Sequence, residues 1–124
     1  MTTKTEGNRI GDILLFEEDK FYSRQKVTIA MSADLTVGAV LGEITASGKY
    51  ILSAPGAADG SETPVAVLIT DAAAGAADVA GAIALARHST VIRAGLNFDV
   101  SINDSTKRAT AVAALKDVGI LTDV

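Results

Sequence analysis

The sequence predicts a mainly β domain of the α+β class with one short C-terminal helix, and three observations predict it. Lys26 to Met31 alternates polar with apolar, which puts Val27, Ile29 and Met31 on one face of a half-buried strand. Val65 to Thr70 is an unbroken apolar run of strand length, as expected at the centre of a core. Near the C-terminus, Asp104 or Ser105 can cap a helix from Thr106 to about Asp117, with Ala111, Leu115 and Val118 on one side and Gly119 placed to end it.

Taken in chain order, Met1 to Gly7 has no periodicity and reads as a flexible arm, as chain ends do unless tied down. We take residues 1–25 as an arm that is at least partly flexible and 26–124 as a single β-rich domain. Inside the arm segment, Ile10 and then Ile13, Leu14, Leu15 and Phe16 form an apolar patch, followed at once by Glu17, Glu18 and Asp19. Such a patch needs a partner. Two readings are open: an extended segment that adds to another protein's sheet edge, or the first strand of the protein's own core.

Val37 to Ile44 and Tyr50 to Ser53 are strand-like and flank Thr45 to Lys49, so a hairpin is predicted, with Gly48 supplying the positive φ of the turn. Ser53 to Pro64 is rich in Ala, Gly, Ser and Pro and reads as a surface loop. Asp71 to Val79 is alanine-rich without a large apolar stripe, so a loop or short turn is expected. Gly81 to Arg87 and Thr90 to Arg93 read as strands. A further strand is predicted over Asn97 to Ile102, with Phe98, Val100 and Ile102 on one face. Ile120 to Val124 can return as a short strand.

Composition narrows function further. At 124 residues the chain fits one domain, which at this size buries roughly two thirds of its unfolded surface. Hydrophobic residues are 48% but aromatics only 4%, so the core is built from Ala, Val, Ile and Leu, and extra burial between subunits is a reasonable expectation. With no cysteine, disulfides, thiolate metal sites and a cysteine nucleophile are excluded. A formal charge of −4 opposes non-specific attraction to nucleic acid or anionic lipid. No apolar stretch reaches the roughly 20 residues that span a bilayer, and the polar N-terminus is unlike a signal peptide. A soluble protein made in a cytosol is expected.

Residues able to do chemistry are sparse. His88 is the only histidine, and its neighbours Ser89 and Thr90 point to opposite faces if the segment is extended, so adjacency does not assemble a triad. Asp99, Asn103 and Asp104 lack the alternating ligands and distal Glu of a calcium loop, and capping explains Asp104 better. Glu17, Glu18 and Asp19 read as a solvated face, because a catalytic pair needs contrasting environments to separate its pKa values. The glycines carry no phosphate-loop pattern. Lys107 and Arg108 lie in the first helical turn, where cations are poor dipole partners, so they are solvent-exposed or meet an acidic group of another chain.

The order of features from about Pro64 to Val124 resembles the lambda-type head decoration protein family. The features are Val65 to Thr70, a small-residue loop, strands ending in Asn97-Phe98-Asp99-Val100, and Asp104-Ser105-Thr106-Lys107-Arg108 leading into an alanine-rich helix. Ahead of Pro64 the likeness is diffuse, and Ile13 to Phe16 and the hairpin region depart from the family pattern. The resemblance implies a small β-rich decoration fold with a flexible N-terminal arm, seated as a homotrimer on the expanded shell and bound to the major capsid protein. It implies holding the shell against DNA pressure at the outer surface of the phage head, after synthesis in the bacterial host cytoplasm. No enzyme activity, metal, cofactor, small-molecule substrate, membrane or direct nucleic-acid contact is implied. Ile10, Ile13, Leu14, Leu15 and Phe16 are then candidate residues of a capsid-binding arm. Two other classes are weighed beside it. A free-standing glycan-binding module would need an aromatic platform, for which Phe16, Phe21, Tyr22, Tyr50 and Phe98 are the whole supply. A small hydrolase would have to rest on His88.

Overall fold

A computed structural model describes residues 14–17 and 23–123. Strands β1 (Leu14–Glu17), β2 (Arg24–Ile29), β3 (Asp34–Leu35), β4 (Val40–Glu43) and β5 (Tyr50–Leu52) come first. They are followed by β6 (Pro64–Leu68), β7 (Ala72–Ala73), β8 (Val79–Leu85) and β9 (Ser89–Ile92). A 3-10 turn (Arg93–Gly95), helix α1 (Ser105–Asp117) and β10 (Ile120–Asp123) complete the order. The fold is mainly β with a short helix near the C-terminus, as the sequence predicts.

Five strands close into a barrel in the order β2-β5-β4-β6-β8. The predicted hairpin is present: β4 and β5 pair antiparallel through Leu41↔Leu52 and Glu43↔Tyr50, and Gly48 at the turn has φ 71°. Closure comes from a short parallel contact, Ile29↔Tyr50, reinforced by Ala30 N–H donating to the Tyr50 carbonyl at 2.8 Å. Pro64 stands at the first position of β6, where a missing N–H is tolerated, beside an irregular step in the pairing with β4.

Two cores share the barrel wall. Side chains alternate across a strand, so β6 sends Ala66 and Leu68 into one core and Val67 into the other, while β4 sends Leu41 to the first and Val40 to the second. Both faces of these strands are covered, which is why Val65 to Ile69 reads as continuous rather than alternating. The first core contains six alanines among its twelve residues: Ala39, Ala66, Ala72, Ala74, Ala82 and Ala84. Barrel diameter falls with strand number, and a five-stranded barrel has little room inside. Small side chains therefore fill half of this core, beside Ile29, Leu41, Leu68 and a single ring, Tyr50. The second core lies between the barrel, β9, β10 and α1. It is built from larger residues, Val67, Ile69, Leu85, Val91, Leu115 and Ile120 among them.

Helix α1 begins where its sequence says it should. Asp104 is extended and its carboxylate accepts from Lys107 N–H at 2.8 Å, satisfying a free donor of the first turn. Ala111 and Leu115, one turn apart, are its buried residues, and Val118 packs at the margin of the second core. The helix stops at Gly119, φ 87°, and the chain continues into β10.

Three expectations need correction. Met31 does not share the buried face of Val27 and Ile29: β2 ends at Ile29, and Met31 is 58% exposed with its N–H held by Asp78 Oδ1 at 2.7 Å. Asn97 to Ile102 is not a strand. Asn97 makes an isolated bridge to Ala39, and then the Asp99 carboxylate accepts from Ser101 N–H at 3.0 Å while Ile102 N–H donates to the Asp99 carbonyl at 2.9 Å. This is an Asx turn, in which a short acceptor side chain captures its own backbone and ends extended structure. Ile102 still turns inward, but Val100 sits at the corner and is 90% exposed. The strand expected over Gly81 to Arg87 is β8, which begins at Val79 and ends before Arg87.

Candidate functional site

The segment proposed as a binding arm meets the body at a sheet edge. Strand β1 pairs antiparallel with β9 through Leu14↔Val91, Phe16↔Thr90 and Glu17↔Ser89. β10 pairs with the other side of β9 in parallel, from Ile120↔Ser89 to Asp123↔Ile92. Leu14 to Phe16 therefore lie on a strand of the protein's own sheet, and Leu14 packs against the second core. Ile10 and Ile13 lie outside the described residues.

An ion pair holds this strand to the barrel. Arg24 at the start of β2 donates from Nε to Glu17 Oε2 at 2.9 Å and from Nη2 to Glu17 Oε1 at 2.8 Å. The bidentate geometry and partial burial make it stronger than a single exposed contact. Glu17, read from sequence as part of a solvated acidic face, is thus a fastening residue of β1. Both Arg24 and β1 fall within the segment 1–25.

The register places several ends together. The start of β1, the end of β9 and the end of β10 all lie at the Val91–Ile92 end of the sheet, and Arg93 Nη2 donates to Thr122 Oγ1 at 3.2 Å across it. Beyond it opens a shallow cleft of about 820 Å³, lined by Arg93, Asn97, Phe98, Val100 and Arg108 among others. The Arg108 guanidinium stands 5.9 Å from the centre of the Phe98 ring, a cation–π distance. Around the N-terminal half of α1 a second, smaller depression of about 230 Å³ lies between Pro55, Pro64, Ile102, Ala111 and Ala114.

The residues considered for chemistry are not brought together. His88 occupies the corner between β8 and β9 with φ 42°, and its carbonyl accepts from Ser23 Oγ at 3.0 Å. Ser89 is 3% exposed and its Oγ has no hydrogen-bond partner, so no His88–Ser89 pair forms. Among the described residues no group of three or more His, Asp or Glu is arranged to hold a metal. No helix among them is long and apolar enough to cross a membrane.

Charged side chains do mark the opposite end of the barrel. The Asp78 carboxylate accepts from Lys49 Nζ and from Met31 N–H, and these two hydrogen bonds hold its pKa below the ordinary 3.8. A depressed folded pKa means stability that is present above about pH 4 and is lost as pH falls through the folded value. Asp78→Asn should therefore lower the thermal midpoint at pH 7, and the gap between variant and parent should close as pH falls below 4. A gap independent of pH would show that the charge is not responsible.

Sequence reasoning missed the exposed Val100, the Glu17–Arg24 fastening and the second depression. The first was hidden by a correct alternation read through an Asx turn. The others join residues from distant or unlike segments, for which a local pattern carries no signal.

The described residues form a small five-stranded barrel with a helix-covered flank and an N-terminal strand at a sheet edge. Compared with protein-family models, residues 3–120 match bacteriophage lambda head decoration protein D. The chain belongs to this family of phage head decoration proteins, and the match extends well ahead of Pro64, into the part of the sequence whose resemblance is diffuse. None of the curated proteins compared matches the chain. A capsid decoration role and a place on the phage head follow from the family.

Proposed function

We propose that this protein binds the outer surface of the expanded phage head as a homotrimer, contacts the major capsid protein, and stabilises the shell against internal DNA pressure without enzymatic activity. The observation that carries the reading is the family match over residues 3–120. Three linked copies convert later contacts into intramolecular ones, so modest individual contacts sum to a strong hold. The protein is made in the bacterial host cytoplasm and ends on the virion surface.

In this reading Ile10, Ile13, Leu14, Leu15 and Phe16 form the capsid-binding arm. Leu14 to Phe16 root it in the sheet with β9, with Leu14 at the Val91 end of that edge. Ile10 and Ile13, three residues apart, then present apolar side chains to opposite faces of an extended segment added to a sheet edge of the shell. A glycan-binding role gains no support: Tyr50 is buried in the barrel and Phe98 lies beneath Arg108.

Light scattering after size exclusion should give three times the 12.7 kDa chain mass. The protein should co-sediment with expanded shells and not with unexpanded ones. Removing residues 1–13 should abolish co-sedimentation while leaving the trimer and its circular dichroism intact. A monomer indifferent to both kinds of shell would overturn the proposal.

A further inference from the structure

The described surface carries an apolar knob and an apolar hole that cannot satisfy each other within one chain. The knob is Val100, at the corner of the turn from Asp99 to Ile102 and 90% exposed. A β-branched hydrocarbon held at a turn corner gains nothing from water, and the Asp99 side chain that bonds Ser101 fixes it there. The hole is the 230 Å³ depression of Pro55, Pro64, Ile102, Ala111 and Ala114, roofed by no part of the described chain and lined mainly by hydrocarbon. Ile102 contributes to the hole while Val100, two residues earlier, is turned away from it. The same Asx turn thus builds both features and keeps them apart.

We infer that Val100 of one copy seats in the Pro55–Pro64–Ala114 depression of the next, and that this repeated contact closes the homotrimer. The inference rests on the trimeric reading above and names the surfaces that would make it. A head-to-tail contact uses two different patches on each copy and closes into a ring when its rotation fits. In a ring of three, every copy gives one knob and receives one. Charge supports a second copy as the occupant. Asp99 adjoins the knob, and Arg93 and Arg108 line the cleft beside it, whereas Lys107 and Glu62 line the hole. Each margin thus offers charges that complement those of the other: an acid and two cations beside the knob, a cation and an acid beside the hole. Lys107, at the unfavourable end of the helix dipole, is suited to an acidic group such as Asp99 of the next copy.

Because the chain has no cysteine, the contact can be tested without background. Val100→Cys combined with Ala114→Cys should, on mild oxidation, yield a covalent trimer on non-reducing gels. Val100→Asp should lose the trimer peak in light scattering at concentrations where the parent is trimeric, with circular dichroism unchanged, and Val100→Ile should keep it. If Val100→Asp remains trimeric and the double-cysteine chain gives no covalent trimer, the interface is elsewhere and this inference falls while the trimer stands. If the parent itself is monomeric, the trimeric reading falls and takes the interface with it.

Discussion

Replacing Gly42 with alanine should destabilise the fold by about 3 kcal/mol or more, although the change adds a single methyl group. Gly42 lies in β4, where the loop between β5 and β6 crosses directly over it. A Cβ at this position would stand 2.1 Å from the Ser61 carbonyl oxygen, 2.6 Å from its carbon and 2.7 Å from the Ser61 Cα. All three are backbone atoms, so no side chain can swing aside. Moving the loop is costly as well. The Ser61 carbonyl accepts from Ser53 Oγ at 2.8 Å, Ser61 N–H donates to Asp59 Oδ1 at 3.0 Å, and Ser61 is 2% exposed. Lifting the loop would expose these groups and reopen the barrel rim. Denaturant unfolding measures the effect, with Gly56→Ala as the control: nothing lies within 4 Å of a Cβ there, and a change within about 0.5 kcal/mol is expected. Equal midpoints for Gly42→Ala and the parent would show that the loop does not pack on β4 as described.

The contrast between these two glycines marks what a sequence can reveal. Both sit in unremarkable surroundings, and only the crossing of Ser61 over β4, nineteen residues away, separates a critical position from a neutral one. Local signals were legible: the alternation around Val27 and Ile29, the hairpin with Gly48, the apolar run of β6 and the Asp104 cap each act within a few residues. The capping prediction succeeded because the carboxylate and the N–H it satisfies are three residues apart. Val100 failed for a related reason, since its period-two pattern was genuine but a competing bond from Asp99 broke the extension. The arm segment shows the limit most clearly. Leu14 to Glu17 pairs with Ser89 to Val91, more than seventy positions along the chain, and alternation near the N-terminus does not say whether the partner strand is internal or foreign. The low aromatic content was visible as a number, but that alanines would make up half of the first core, with Tyr50 as its one ring, required the barrel's strand count.

Leu115→Ala should cost about 3 kcal/mol, within the range of roughly 2–5 kcal/mol for emptying a buried leucine site. Leu115 is fully buried and belongs to the core shared by α1, β6 and β10, together with Val67, Ile120 and Val91. The residue one turn earlier on the buried face of the helix is the small Ala111, and Val118, past the helix end, packs only at the margin of the core. The helix is therefore seated chiefly by this one side chain, and its amphipathic stripe is too short for neighbours to compensate. Loss of the seat has a consequence beyond the midpoint. Ala111 and Ala114 line the depression assigned to the neighbouring copy, so a loosened helix should weaken trimer association at temperatures where barrel strands still give a folded β signal. Leu115→Met, which keeps most of the volume, should restore both properties to within about 1.5 kcal/mol. Thermal and denaturant unfolding read the first effect, and light scattering across a dilution series reads the second. If Leu115→Ala unfolds at the parental midpoint, the helix is held by something other than the core that Leu115 fills.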